Sequence, residues 1–302
     1  MAGMFSLRTA RSIGKLGLGV LRAYSILRRF GPDVLVGTGG YTSAGVVAAE
    51  WLRGGRIVIH EQNSVPGRTN RMLARLARKV CVTFEESATY FPPKKTVVTG
   101  LPVRPDIIAG MERRAARETL GLEPERFTLL VIGGSQGARR INEMVLEAVP
   151  TLVEAGLQVL HQTGAKNYEE VVLRQPSAPG YLPRAYIDEM AVAYSAADIV
   201  VSRSGASTIA EITVRGLPAV LIPYPFAHAA HQTKNAEAVA RAGAALVVEE
   251  AGLTGSALAA IVLDLAADRP RLEEMARASR KLGRPEAAAE IARIVLVVAR
   301  GR

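Results

Sequence analysis

VSRSGASTIAE, residues 201–211, is the stretch whose reading decides the fold. The run from Asp198 to Val201 reads as a strand that enters the turn Ser202-Arg203-Ser204-Gly205. Ala206, Ser207, Thr208, Ile209, Ala210 and Glu211 then open a helix, and its first turn offers free backbone N–H groups and small hydroxyls. Such a helix start seats a phosphate. The design recurs at VIGGSQGARRIN (Val131 to Asn142), where a strand ends in Gly133-Gly134-Ser135-Gln136-Gly137 and a helix follows. Two helix N-termini aimed at one crevice suit a ligand with two phosphates.

Outward from these motifs, strands and helices alternate. From FTLLVIGG onward, six strand candidates separated by helices make the doubly wound pattern of a parallel sheet. A shorter series precedes it: DVLVG (33–37), RIVIH (56–60), KVCVTF and TVV (96–98), with a basic helix from Arg68 to Arg78. The fold class is therefore α/β, a parallel sheet followed by a doubly wound one. The expected boundaries are an N-terminal domain over 1–104, a charged linker over 105–125 and a C-terminal domain over 126–284. A last helix over 285–302 is expected to lie back across the first domain.

The 302 residues are 49% hydrophobic, enough to bury full cores. Cys81 is the single cysteine, so no internal disulfide forms and a reducing cytoplasm is expected. Between Val80 and Val82 it reads as core filler. The net charge is +10, and residues 1–80 hold thirteen Lys or Arg against the acids Asp33, Glu50 and Glu61, which is the whole excess. That concentration suits an anionic partner. Nucleic acid is disfavoured, because the basic residues are not interleaved with aromatics and no recognition motif is present.

Residues 4–30 read as a basic amphipathic helix weakened by glycines. It either covers a sheet or rests on an anionic membrane surface. No segment reads as a spanning helix: the uncharged run from Gly216 to Thr233 contains Pro218, Pro223 and Pro225.

Rival motifs are weighed on the same residues. GGSQG also fits the hydrolase elbow G-x-S-x-G, with Asp198 and His228 or His231 following in the triad order. A second hydroxyl-rich helix start, which a hydrolase does not need, weakens that reading. Neither glycine cluster spells a dinucleotide fingerprint. His228 and His231 lack the cysteines and close acids of a zinc site, and no metal or other cofactor is expected. His60 and His161 terminate strands in either a structural or a functional role. Arg104, between two prolines, is a diphosphate clamp or a structural ion-pair partner. Glu211 takes ribose hydroxyls or is a favourable first-turn acid. Asn63 is a ligand contact or a turn former. Gln232, with His231 and Asn235, reads sugar hydroxyls or caps a helix.

Taken together, GTGGYTSAGVVAA, HEQNSVPGRTNRMLA, VVTGLPVR, GGSQGARRIN, HQTG, MAVAYSAADIVVSRSGASTIAEI and HQTKNA resemble the MurG family of N-acetylglucosaminyltransferases in order and spacing. The resemblance is close over residues 30 to about 250. It implies a GT-B fold, two Rossmann-like domains facing a cleft, at the cytoplasmic face of a bacterial membrane. The implied reaction moves GlcNAc from UDP-GlcNAc to the C4 hydroxyl of the MurNAc-pentapeptide of lipid I, with inversion. The implied partners are UDP-GlcNAc, lipid I, the anionic membrane surface and other cell-wall synthesis proteins.

Carried over residue by residue, the family's UDP-GlcNAc contacts fall on Asn63, Arg104, Ser135, Ile187, Ala206 to Glu211 and Gln232. Ser135 and the Ala206 helix start would hold the diphosphate, Ile187 would lie by the uracil, Glu211 would take the ribose and Gln232 would read the sugar. One departure stands out. Family members begin with a strand and a GGTGGH loop whose histidine is a candidate base, whereas this sequence starts later and offers Tyr41 of GTGGY in a different loop. The catalytic base is therefore unassigned, the N-terminal domain is expected to lack its first two βα units, and a bare sheet edge beside DVLVG is expected. A non-catalytic UDP-sugar-binding chain, needing a second chain for that loop, is the alternative function.

Overall fold

Apolar, β-branched runs separated by glycine turns and helices build two separate parallel sheets. The computed structural model describes residues 7–40, 42–134, 136–227 and 230–301, with side chains from Gly17 onward. The chain divides into unit 1, Met1–Leu101 with Glu286–Arg302, and unit 2, Pro102–Pro285. Unit 1 runs α1 (Leu7–Phe30), β1 (Leu35–Gly37), α2 (Ser43–Leu52), β2 (Ile57–Glu61), α3 (Arg68–Leu73), β3 (Lys79–Val82), α4 (Glu85–Ala88) and β4 (Thr96–Val98). Unit 2 opens with α5 (Pro105–Ala109), α6 (Arg113–Leu120), β5 (Thr128–Ile132), α7 (Arg139–Glu154), β6 (Gln158–Gln162), α8 (Tyr168–Arg174) and β7 (Tyr181–Arg184). It continues through α9 (Met190–Ala196), β8 (Ile199–Ser202), α10 (Ala206–Arg215), β9 (Ala219–Leu221), α11 (His231–Arg241), β10 (Ala245–Val247), α12 (Gly255–Ala267) and α13 (Arg269–Leu282). α14 (Ala287–Ala299) returns to unit 1.

In unit 1 the parallel strands lie in the order β1-β2-β3-β4. Every residue of β2 is buried, as a strand covered on both faces requires. One face carries Val47 of α2 and Leu73 of α3; the other carries Val298 of α14, packed on Val58 and Cys81. Burial, and then the neighbouring carboxylate of Glu290, push the Cys81 thiol up to about 11, so it is un-ionised filler. β1 stands at the sheet edge with Val36 41% exposed, and among the described residues only β2 pairs with it. Residues 4–6 of the basic amphipathic segment lie outside the described residues. From Gly17 on, α1 buries Ala23 and Leu27 against Ala49 and exposes Leu18, Leu21, Ile26 and Phe30 beside Arg22, Arg28 and Arg29. α3 ends at Leu73 rather than Arg78, because the next amides bond three residues back, as in Arg75 to Met72 and Leu76 to Leu73.

In unit 2 six parallel strands lie in the order β10-β9-β8-β5-β6-β7. Successive strands step outward from β5 on one side, then return to its other side at β8. α7 buries Ile141, Met144, Val145, Ala148, Val149 and Leu152, a three-and-four spacing that presents one stripe to the sheet. These pack with Leu129, Val131 and Val201 from the strands and Leu258 and Val262 from α12, each large side chain worth roughly 1.5–3 kcal/mol of burial.

Residues 105–125 are not a linker. They form α5 and α6 within unit 2, and α6 is fixed by an arginine turned inward. The Arg117 side chain, 5% exposed, meets Asp198 at 2.5 Å and donates to the carbonyls of Ala196 and Pro124. Arg113 meets the other Asp198 oxygen at 2.8 Å. Two arginines of this segment thus serve as a specific anchor, while Glu112, Arg114, Glu118 and Glu125 stay exposed.

Candidate active site

In a parallel sheet, the point where strand order reverses leaves a crevice at the carboxyl ends of the two central strands. Here those strands are β5 and β8. Ile132 is in register with Ser202, and the Arg203 N–H reaches the Ile132 carbonyl at 3.4 Å. The glycine turn after β5 and the start of α10 after β8 are thus neighbours.

α10 has Gly205 at its N-cap and no side-chain cap. Its first internal bond runs from Ile209 N–H to Gly205 at 3.0 Å, so the N–H groups of Ala206, Ser207 and Thr208 point out of the helix end. Ser207 is exposed and Thr208 half-buried, while Ile209 and Ala210 are buried in the unit 2 core. The opposing turn is shaped by glycines. Gly134 and Gly137 hold φ of 89° and 74°, and a Cβ on Gly137 would stand 2.1 Å from the Thr163 carbonyl oxygen. Ser135 lies outside the described residues.

Around this crevice the side chains are fixed by hydrogen bonds. Gln162, 3% exposed, donates to the Gly134 carbonyl at 3.4 Å and accepts from the Ile187 N–H at 2.9 Å, tying the glycine turn to the buried Ile187. The Glu211 carboxylate accepts from the Tyr194 hydroxyl at 2.8 Å. Burial raises the Glu211 pKa, against which the Tyr194 bond and the nearby Arg104 guanidinium act to lower it. Arg104 caps α5 with an extended backbone, and its half-exposed side chain lies 3.6 Å from Asp106. Gln232 accepts from the Tyr224 N–H at 2.9 Å, which leaves its side-chain Nε2 as a donor, and its carbonyl accepts from Ser204 at 2.7 Å. It stands in the first turn of α11, just after Ala230, whose φ of 53° is the one positive value at a non-glycine among the described residues. Buried Arg203 pairs with Glu250 and reaches the Ile222 and Pro223 carbonyls, bracing the turn from below.

Unit 2 therefore brings together Arg104, Ile187, Ala206 to Glu211 and Gln232. Asn63 belongs to unit 1, in the loop at the carboxyl end of β2, where its backbone and side-chain amides both reach Glu61, at 2.9 and 3.3 Å. Tyr194 and Gln162 were not singled out in the sequence. A tyrosine in an apolar helix and a glutamine closing a strand give no pattern that reveals what they hold.

The hydrolase triad does not assemble. Asp198 precedes β8, at the amino end of the sheet, where Arg113, Arg117 and the Thr128 N–H occupy it, whereas the GGSQG turn follows the carboxyl end of β5. His161 is buried between the Tyr181 hydroxyl at 2.8 Å and Asn142 at 3.0 Å, and burial lowers its pKa to about 3. His60 is likewise buried, bonded to the Gly100 carbonyl at 3.0 Å, with its pKa lowered mainly by burial. Both are structural. His228 lies outside the described residues.

Comparison with known proteins agrees with this geometry. The glycosyltransferase family 28 C-terminal domain matches residues 128–291 and the family's N-terminal domain matches residues 1–82. The chain belongs to glycosyltransferase family 28. Among family 28 relatives, the UDP-N-acetylglucosamine–N-acetylmuramyl-(pentapeptide) pyrophosphoryl-undecaprenol N-acetylglucosamine transferase of Moorella thermoacetica is 46% identical over 294 residues, 93% of this chain and 78% of its own length. The same enzyme of Desulforamulus reducens is 44% identical over 286 residues, 92% of this chain and 77% of its own. The crystal structure of Acinetobacter baumannii MurG superposes with a TM-score of 0.77 at 32% identity, covering 92% of this chain and 77% of that one. The two parallel-sheet units are those of the GT-B fold.

Proposed function

We propose that this family 28 chain transfers N-acetylglucosamine from UDP-N-acetylglucosamine to the C4 hydroxyl of N-acetylmuramoyl-pentapeptide carried on undecaprenyl diphosphate, converting lipid I to lipid II. The observation that carries the reading is the register of Ile132 with Ser202, which sets an uncapped helix start beside a glycine turn at the strand switch point.

In this reaction the acceptor oxygen bonds to C1 of the sugar, the C1–O bond to the β-phosphate breaks, and the electron pair leaves with UDP. Inversion follows from a single displacement. The barrier falls when fixed dipoles meet the charge that develops on the diphosphate. The amides of Ala206, Ser207 and Thr208 supply those dipoles, with the Arg104 guanidinium as the cation; the family resemblance adds the Ser135 hydroxyl to the diphosphate contacts. Glu211 accepts from the ribose hydroxyls, Ile187 flanks the uracil through its fixed amide, and Gln232 donates to the sugar. Asn63 completes the donor contacts from unit 1. The hydroxyl proton passes to a base that none of these residues provides.

The exposed Leu18, Leu21, Ile26 and Phe30 of α1, ringed by Arg22, Arg28 and Arg29, form the surface that rests on an anionic membrane. That surface supports a peripheral position at the cytoplasmic face of the membrane, where the lipid-linked acceptor would be met. Among the described residues no helix is long and apolar enough to cross a membrane.

Transfer of labelled GlcNAc to purified lipid I tests the reading. Lipid II accumulating in proportion to enzyme supports it. UDP binding with no transfer would support the UDP-sugar-binding alternative, and loss of both would remove the donor-site assignment.

A further inference from the structure

Arg56, Arg78 and Lys79 stand at the amino ends of β2 and β3, the opposite end of the unit 1 sheet from the Asn63 loop. With Arg293 of α14 they line a cavity of about 580 Å³, roofed by α14 and walled by Val97 and Val297. That volume lies within the range of small-molecule sites.

Its charge is unbalanced. Among the described residues Glu290 is the one acidic side chain lining it. Neither Arg78 nor Arg293 joins an ion pair among the described residues, and both are exposed. Among the described residues the Lys79 ammonium donates to the Lys94 carbonyl, at 3.5 Å. Arg56 is half-buried and held by a 2.6 Å bond from Nη1 to the Ala299 carbonyl, so its remaining N–H groups are oriented. Gathering like charges is unfavourable unless an anion offsets them, and guanidinium groups match phosphate oxygens. The apolar side of the cavity continues outward to Val297 and Leu296, 50% and 54% exposed.

We propose that the cavity beneath α14 is a binding site for a phosphate group carried on an apolar body, with Arg56, Arg78, Lys79 and Arg293 on the phosphate and Val97 and Val297 on the apolar part. An acidic phospholipid headgroup and a soluble phosphate ester share this chemistry. Its residues belong to unit 1, with Arg56, Arg78 and Lys79 at the amino ends of β2 and β3 and Arg293 and Val297 on α14, whereas the crevice at β5 and β8 belongs to unit 2.

The test uses the full chain with the donor crevice saturated by UDP. One arm titrates inorganic pyrophosphate; the other sediments the protein with phosphatidylglycerol vesicles, against phosphatidylcholine vesicles as reference. The variant Arg78→Gln with Arg293→Gln removes two exposed cations that join no ion pair among the described residues. Affinity in at least one arm should fall about tenfold or more, while UDP affinity is unchanged and Arg277→Gln, on α13, leaves both arms unaltered. A loss with vesicles assigns a lipid headgroup; a loss confined to pyrophosphate assigns a soluble phosphate. The proposal is overturned if the wild type binds neither probe, if the double variant binds both as tightly as the wild type, or if Arg277→Gln loses as much.

Discussion

The Tyr194 hydroxyl, on a residue only 1% exposed, donates a 2.8 Å hydrogen bond to the Glu211 carboxylate. The bond lowers a carboxyl pKa that burial raises. Tyr194→Phe removes the donor and little volume. The expected result is about a tenfold rise in KM for UDP-GlcNAc, from the net worth of a hydrogen bond to a charged group, with kcat changed far less. Because the carboxylate loses a partner that favours its charged form, the acid limb of the pH profile of 1/KM should move to higher pH. Steady-state kinetics across pH checks both, and an unmoved limb would mean that Glu211 is not held this way.

His161 predicts how stability responds to acid. Its pKa, about 3 in the fold because of burial, lies below the unfolded value, which is near 6.5. Below that unfolded value the unfolded chain binds a proton that the native chain refuses. The stability due to this residue is therefore full above about pH 6.5 and is lost as the pH falls toward the folded pKa, at about 1.4 kcal/mol per unit. Denaturation of His161→Gln at several pH values should show a flatter acid dependence than the wild type, whatever its stability at pH 7.

Glycine position separates strain from collision. Gly156 and Gly137 both have positive φ, but a Cβ on Gly156 meets nothing within 4 Å, whereas one on Gly137 meets the Thr163 carbonyl. Gly156→Ala should cost about 1 kcal/mol of backbone strain and leave UDP affinity intact. Gly137→Ala should cost more and weaken UDP binding, since the turn must move. Thermal denaturation and UDP titration of the pair check this.

Asp198 anchors rather than reacts. Asp198→Ala leaves Arg117 buried without its carboxylate, a loss expected to destabilise unit 2 by about 3–5 kcal/mol. The folded fraction should bind UDP as the wild type does. Full stability with abolished turnover would contradict this account and return Asp198 to a catalytic role.

The legible part of the sequence was local. The two loops, GGSQG and SRSGAS, announce themselves because glycine and small hydroxyls at a strand-to-helix junction have few other uses, and β5 and β8 place them side by side. The misread part was nonlocal. Arg113 and Arg117 look like solvated charge in MERRAARETLGLEPER, since their partner Asp198 lies 85 and 81 residues away. The same Asp198 looked like a triad member because chain order says nothing about which end of a sheet a residue occupies. Tyr194 was invisible for a related reason: its hydroxyl matters through Glu211, 17 residues on. Ile187 was reached by resemblance alone, and its amide bond to Gln162 is a nonlocal contact that spacing could not show.

The central claim is that the free amides opening α10 hold the diphosphate of the donor. Backbone amide resonances of Ala206, Ser207 and Thr208, followed during titration with UDP and separately with uridine, test it most directly. The account predicts saturable shifts of these three amides with UDP and little change with uridine. UDP binding that leaves all three unmoved would contradict it.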